Sequence, residues 1–412
     1  MNVLLCPLSD GGYLYPAIAA GRELERRGNT VCVLGRTSAA QIVAESGLPY
    51  LTAERYGGQR GFSVARWRDG GPAQFRAALR AARQVRADVL VTSVLCHGAL
   101  LAAEALDIPA VVLGLSAHLL NYAAGGHDEP QPGMSRQARS REILQYYREL
   151  RAEVGLATRS DPWPESPLFG AALLLRGDPV FEYPGAVLPE RVHHVGPLAW
   201  EPTADGADVD TVMEHLDRVG KPVVYVHLGR FFGGKVQWPR LNSAFTGGPF
   251  QALVEQGRTL DPRPDPGADM LLVRRPYMGP FVDRAGLVLT SGTSAPVLAA
   301  LLRGRPLGVT PNGSEQPLLA AACVRAGVAV YALDDMDSDP WKTLHLAWED
   351  PGLRKRAADL GRRLASADSA SRAADVVELS CARVARKPHR PADRAVDTMP
   401  LETRWLSKGA DG

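Results

Sequence analysis

Residues 5–35 read LCPLSDGGYLYPAIAAGRELERRGNTVCVLG. An apolar run leads into the pair Gly11–Gly12, then Pro16, then an Ala-rich amphipathic stretch, then a second apolar run. The run VLLCPL reads as a first strand. The stretch YPAIAAGRELERRG reads as a helix whose inner face carries Ile18, Leu24 and the neighbouring alanines, and which Gly28 ends. TVCVLG reads as a second strand, too apolar on both sides for an exposed sheet and so fit for a parallel one. Strand, tight loop, helix, strand is the βαβ unit. Its loop tip, where such a fold presents catalytic groups, carries the phenol of Tyr13.

The same alternation continues outward. PAQFRAALRAARQV and HGALLAAEALD read as helices, ADVLVTSV and IPAVVLGL as buried strands. This succession predicts an α/β doubly wound parallel sheet. Residues 124–142 are polar and rich in turn formers and read as a loop, with a helix from SREILQYYRELRAEVGL. GAALLLRG and RVHHVGPL read as the last strands of a first domain, 1–200. Residues 201–221, polar with Pro, Gly and Asp, read as a linker. The theme then restarts over 222–385: the strand PVVYVHLG, a helix around PFQALVEQG, the strands DMLLVRR and GLVLTSG, the helix PVLAALLRG, the strand PLGVTP, the helix QPLLAAACVRAG and the strand VAVYAL. Two Rossmann-like halves are expected, with their strand ends facing a central cleft. Residues 386–412, Pro- and Arg-rich, read as a frayed tail.

The chain has 412 residues, 45% of them hydrophobic, which suits two ordinary domains with real cores. No run approaches the roughly 20 apolar residues that span a bilayer. The N-terminal residues lack a basic leader, so no signal peptide is expected and a cytoplasmic location is. Five cysteines without a C-x-x-C pair predict free buried thiols, with neither disulfides nor a zinc site. A net charge of +2 gives no footprint for nucleic acid. Whether the chain pairs with itself or with a partner protein is left open.

Three loops of the second half suit a charged, hydroxylated ligand. In LVLTSGTSAPVLAALLRGRP (287–306), Ser291, Gly292, Thr293 and Ser294 form a small-residue turn after a buried strand, and a helix follows with Pro296 in its first turn. A helix N-terminus there offers N–H groups and a positive dipole end to a phosphate. Thr293 or Ser294 can cap it. In GVTPNGSEQPLLAA (308–321), Glu315 and Gln316 offer a carboxylate and an amide to sugar hydroxyls, although Ser314 and Glu315 also fit plain helix caps. In VVYVHLGRFFGG (223–234), Gly229 permits close backbone approach, and Arg230 offers a forked cation to a diphosphate.

At these residues the sequence resembles the GT-B fold glycosyltransferases that use nucleotide sugars, and within them the bacterial family that glycosylates natural products. The match runs over roughly residues 1–380. GGYLYPAIAAGRELERRGNTVCVLG is similar to the family's opening G-H-x-x-P loop and helix. AAEALDIPAVV resembles its A-A-x-x-L-G-I-P segment, RVHHVGPL its V-G-P motif, and VVYVHLG its V-V-Y-V-S-F-G strand. LVLTSGTSAPVLAALLRGRPLGVTPNGSEQP resembles the donor signature V-T-H-G-G-x-x-T-V-x-E-A-L…G-x-P…P-x-x-x-D-Q. The resemblance implies inverting, metal-independent transfer of a sugar from a UDP- or dTDP-sugar, which is a co-substrate rather than a cofactor, to a small acceptor. The donor would sit on the second domain and the acceptor on the first.

The departures are specific. Tyr13 stands where the family has its general base, and a phenol with a reference pKa near ~10 is a poor base at neutral pH. Ser93 stands where an Asp orients that base. Ser291 replaces the diphosphate-contacting His, Thr293 the second Gly, and Ala299 the Glu that meets ribose hydroxyls. Arg230 stands where a Ser is usual. Asp10, in the same loop as Tyr13, and His97, after the strand that ends at Ser93, are candidates for a substitute base. His118 lies after the next strand, and His127 and Asp128 in the 124–142 loop. Gly12, Tyr13, Ser93 and His118 line the expected acceptor side, with the segments 56–72 and 122–142 shaping its pocket. Three readings follow: an active transferase with an atypical base, a catalytically silent homologue serving a partner enzyme, and a cell-envelope transferase. The third draws on YPAIAAG, and RVHHVGPL argues against it.

Overall fold

The computed structural model describes residues 1–53, 70–126, 129, 132–157, 166–229, 237–257, 264–313, 315–333, 340–385 and 403–404. The chain divides into two compact units. The first comprises Met1–Arg176, Pro184–Trp200 and Asp368–Gly412, the second Gly177–Tyr183 and Glu201–Ala367.

In the first unit the strands β1 (Asn2–Cys6), β2 (Thr30–Gly35), β3 (Tyr50–Thr52), β4 (Val89–Ser93), β5 (Ala110–Leu113), β6 (Ala172–Leu175) and β7 (Val192–His194) lie in the order β3-β2-β1-β4-β5-β6-β7. All pair in parallel, and Thr403–Arg404 adds an antiparallel edge to β3. Every residue of β4 and β5 is buried, as a sheet covered on both faces requires. Helix α1 (Gly11–Arg26) sets Ile18 and Leu24 fully into the core and ends where Gly28 turns left-handed at φ +87°. It begins four residues earlier than YPAIAAG suggests. Pro16 therefore lies inside the helix and cannot donate the N–H that the Gly12 carbonyl would otherwise receive.

In the second unit β8 (Val223–His227), β9 (Gln251–Glu255), β10 (Met270–Val273), β11 (Leu287–Thr290), β12 (Leu307–Val309) and β13 (Ala329–Tyr331) form a parallel sheet in the order β10-β9-β8-β11-β12-β13. Both sheets are doubly wound. In each, the chain builds outward in one direction and then restarts on the other side of its first strand. The switch points lie between β1 and β4 and between β8 and β11.

Several expectations change. The segment around PFQALVEQG is a strand, not a helix: all five residues Gln251–Glu255 are buried between β8 and β10. A run of that length carries no helical period to contradict strand pairing. Within 124–142, a helix (Pro132–Glu153) already begins. The stretch 201–221 contains a 14-residue helix, Gly206–Val219, capped by the Asp205 carboxylate on the Ala207 and Asp208 N–H groups. The last helix, Ser369–Ala385, belongs to the first unit rather than the second. Arg27, at the end of α1, explains why: its guanidinium donates to Asp375 at 2.6 Å, to Glu378 at 3.0 Å and to the Ser371 hydroxyl at 2.6 Å. All five cysteines are free, and Cys6, Cys32, Cys96 and Cys323 are buried.

The helix after β11, α9 (Ser294–Leu302), is held from behind by α12 (Pro351–Ser366), with Gly361 at the closest approach. A Cβ on Gly361 would sit 2.1 Å from the Leu301 carbonyl oxygen. Gly361→Ala is expected to lower unfolding free energy by about 1–3 kcal/mol, through forced separation of these helices. Urea melts of the two proteins check this.

Candidate functional site

The second unit brings three of the predicted loops together at its switch point. β8, β11 and β12 are neighbours, so the loops leaving their C-terminal ends share one edge. Gly229 adopts a left-handed φ of +80°. The position a Cβ would take there lies 3.4 Å from Ser291 Oγ, 3.7 Å from Thr293 Cγ2 and 4.0 Å from Gln316 Nε2. Gly292 is also left-handed, at φ +84°, and its own Cβ position would crowd the Gln316 carbonyl at 2.9 Å. Gly292 is thus required by close approach as well as by conformation, and Gly229 by its conformation. The backbone N–H of Gly292 is bound by the Thr290 hydroxyl at 3.3 Å.

Helix α9 starts at Ser294, with Thr293 in the extended N-cap conformation. Neither expected side-chain cap forms: the Thr293 side chain makes no cap hydrogen bond, and Ser294 lies inside the first turn at 2% exposure. Ser291 is fully buried. Ser291 Oγ and Thr293 Oγ1 are buried atoms with no hydrogen-bond partner among the described residues. A buried hydroxyl left this way forfeits on the order of 1–3 kcal/mol. Two of them beside a helix N-terminus form a donor-rich niche whose natural complement is an anion. Gln316 Oε1 accepts the Asn312 N–H at 2.8 Å, which orients its amide, and Glu315 is the half-buried N-cap residue of the following helix, Gln316–Arg325. Arg230 and Ser314 lie outside the described residues.

In the first unit the β1 and β4 ends flank the other switch point. Asp10 is the N-cap residue of α1, and its backbone carbonyl accepts the N–H groups of Tyr13 and Leu14, each at 2.8 Å. Asp10, Gly12 and Tyr13 are half-buried and so lie at the surface of this edge. The rest of the expected acceptor side does not. Ser93 is fully buried. His118 is 1% exposed, with its Nε2 3.1 Å from the Asn121 carbonyl and its backbone carbonyl bound by Arg136. Arg136 in turn pairs with buried Glu129 at 2.8 Å and stacks over Tyr122. His127, Asp128 and most of 56–72 lie outside the described residues.

His97 is corrected most sharply. Its imidazole is 1% exposed and lies between the rings of Tyr146 and Tyr147, 5.4 and 5.8 Å away. Burial lowers its pKa from 6.5 to about 3. A neutral ring with so little proton affinity and almost no open face is a core residue, not a general base. One residue the sequence reading passed over belongs to the second site. His227, the last residue of β8, accepts the Gly229 N–H on Nδ1 at 3.2 Å, and burial lowers its pKa to about 4. Its signal was its place two residues before a loop glycine.

A cavity of about 290 Å³ opens at the opposite end of the first sheet, lined by Asn2, Thr30, Pro49 and Tyr50 where strands begin. It is remote from the loops that leave the strand ends. The folded state refuses His97 a proton that the unfolded chain accepts below pH 6.5. Its stabilising contribution is therefore complete above pH 6.5 and is lost as pH falls toward 3. His97→Phe, which keeps an aromatic ring against the two tyrosines, is expected to flatten the fall in stability between pH 6 and 4. The slope should drop by up to about 1.4 kcal/mol per pH unit, measured by urea unfolding across that range.

Comparisons with known proteins come to the same fold. No protein-family model matches the chain. It is 26% identical over 391 residues, 93% of its own length and 99% of the relative's, to the UDP-N-acetylglucosamine–N-acetylmuramyl-(pentapeptide) pyrophosphoryl-undecaprenol N-acetylglucosamine transferase of Gloeobacter violaceus. Among solved structures, the glycosyltransferase of kitacinnamycin superposes with a TM-score of 0.70 at 18% identity, over 92% of this chain and 98% of that one. The glycosyltransferase VinC, solved in complex with dTDP, superposes with a TM-score of 0.62 at 15% identity, over 93% of this chain and 100% of that one. Two Rossmann-like parallel-sheet units in this order make the GT-B fold, which the chain shares with these solved glycosyltransferases.

Proposed function

We propose that the chain transfers a sugar from a nucleoside diphosphate, of the dTDP or UDP type, to a hydroxyl or amine of a small natural-product acceptor. The observation that carries this reading is the niche at the second switch point. Two buried hydroxyls with no partner among the described residues, Ser291 Oγ and Thr293 Oγ1, sit at the start of α9 beside left-handed Gly229. A diphosphate would accept from both and from the first N–H groups of α9, so its charge is met without a metal. Gln316 and Glu315, on the adjoining loop, face sugar hydroxyls. VinC, a protein of the same fold, was solved in complex with dTDP, which supports a nucleoside diphosphate as the ligand.

Transfer proceeds by attack of the acceptor oxygen or nitrogen on the anomeric carbon. The bond to the diphosphate breaks on the opposite side, and the nucleoside diphosphate leaves with the electron pair, which inverts the configuration. The acceptor's proton goes to a base. With His97 in the core, the Asp10 carboxylate is the candidate at the first switch point, and the Tyr13 phenol orients the acceptor. The full-length relative from Gloeobacter violaceus favours a second reading, transfer of N-acetylglucosamine to a lipid-linked envelope precursor. Among the described residues no helix is long and apolar enough to cross a membrane. A silent partner protein is the third reading, and binding without turnover would identify it.

The first test is nucleotide-dependent stabilisation. At one hundred times its dissociation constant, dTDP or UDP is expected to add about 2.7 kcal/mol, visible as a raised melting temperature. Thr293→Val, which keeps shape and removes the hydroxyl, should weaken that binding about tenfold. A stabilisation that Thr293→Val leaves untouched would remove the hydroxyl niche from the site. In turnover assays with a panel of sugar nucleotides and acceptors, Asp10→Asn should lower kcat by 10²-fold or more while leaving nucleotide affinity unchanged. Tyr13→Phe should act mainly on the acceptor KM.

A further inference from the structure

Two residues past the end of β8 the backbone turns at Gly229, left-handed at φ +80°, beside the β11 loop. What holds that turn is the side chain two residues upstream. The Gly229 N–H donates to His227 Nδ1 at 3.2 Å. A side-chain acceptor at residue i binding the N–H of residue i+2 is the pattern of Asx and Ser/Thr turns, in which a short polar side chain stands in for a backbone carbonyl. Here an imidazole nitrogen takes that role. Since Nδ1 accepts, the single proton of the neutral ring is on Nε2. Burial favours the neutral form, with the pKa lowered to about 4, so the acceptor is present throughout the neutral range.

The position of this turn gives it leverage. His227 pairs in register with Thr290, the last residue of β11, so the imidazole stands at the strand ends that flank the switch point. Thr290 in turn binds the Gly292 N–H through its hydroxyl. Neighbouring strands therefore end in matching devices, each a side chain fixing a left-handed glycine two residues on. Ser291 and Thr293, whose hydroxyls are buried, flank Gly292, and Ser291 Oγ lies 3.4 Å from where a Gly229 Cβ would be. A loop released at Gly229 would take its backbone away from those hydroxyls and from the Gln316 amide.

We propose that His227 is the positioning residue of the donor site: its Nδ1 locks the Gly229 turn against Ser291, Thr293 and Gln316, and so sets the affinity for a nucleoside diphosphate. The inference rests on the donor-site reading above and names a residue outside the phosphate loop itself. Asparagine supplies an oxygen at the place of Nδ1 and makes the same two-residue turn. Leucine fills comparable space without an acceptor, and glutamine carries its oxygen one methylene too far.

The test uses the full chain and its His227→Asn, His227→Leu and His227→Gln variants, with dTDP and UDP as probes in calorimetric titrations and melting temperatures taken without nucleotide. Wild type and His227→Asn should bind within about threefold of each other, and His227→Leu should bind about tenfold more weakly. If His227→Leu fails to fold, His227→Gln serves the same comparison. Equal affinity in wild type and in the folded variant lacking the acceptor overturns the role of His227 and leaves the donor site standing. Loss in His227→Asn equal to that in His227→Leu also overturns it, since a purely structural imidazole is not rescued by an acceptor alone. A wild-type protein that binds neither nucleotide overturns the donor-site reading and the His227 inference together.

Discussion

A parallel sheet wound in both directions cannot avoid a gap. Right-handed crossovers carry the chain to one face when it builds outward and to the other when it restarts beyond its first strand. At the restart, two adjacent strand ends send their loops apart, and a crevice opens between them. In this chain the restart falls between β8 and β11 in one unit and between β1 and β4 in the other. The motif-bearing loops of both halves leave strands at or next to those points. The chemistry is located by strand order before any side chain is considered.

At the second switch point several local costs fall together. Two glycines are left-handed, two buried hydroxyls have no partner among the described residues, and a helix begins without a side-chain cap. Two other helices of the same unit are capped: Asp205 and Asp350 each bind two N–H groups in the first turn of the helix that follows. The contrast matters because capping α9 in the same way would close the niche that an anion is meant to fill. The His227 turn fits this economy, since it satisfies one backbone donor without occupying the space between the loops.

Much of the architecture was legible beforehand. Apolar runs too symmetric for an exposed sheet, alternating with Ala-rich helices, gave a doubly wound fold in each half, and the strand-to-turn motifs gave the loops that meet. Failures followed a physical pattern. The run Gln251–Glu255 is short, with only Ala252, Leu253 and Val254 apolar, so periodicity could not separate strand from helix. The polar stretch 201–221 looked like a linker because an exposed helix with a single buried stripe, here Val212 and Leu216, has a loop-like composition. Residues 369–385 read as part of the second half because chain order is all that a linear reading has. The Arg27 cluster that holds them to α1 joins residues about 350 positions apart in the sequence.

The site divides along the same line. The sequence by itself determined which residue types stand at the strand ends: hydroxyls and glycines after β11, an acid and an amide after β12, a phenol where a base would be expected. Those identities are local, and local pattern records them. Only the tertiary structure decided which of them reach a ligand. His97, His118 and Ser93 looked equivalent to Asp10 and Tyr13 on paper, yet packing against Tyr146, Tyr147, Phe169 and neighbouring strands withdraws them from the surface. Burial and proton affinity depend on atoms brought in from distant positions in the chain, so a list of residues in order cannot contain them.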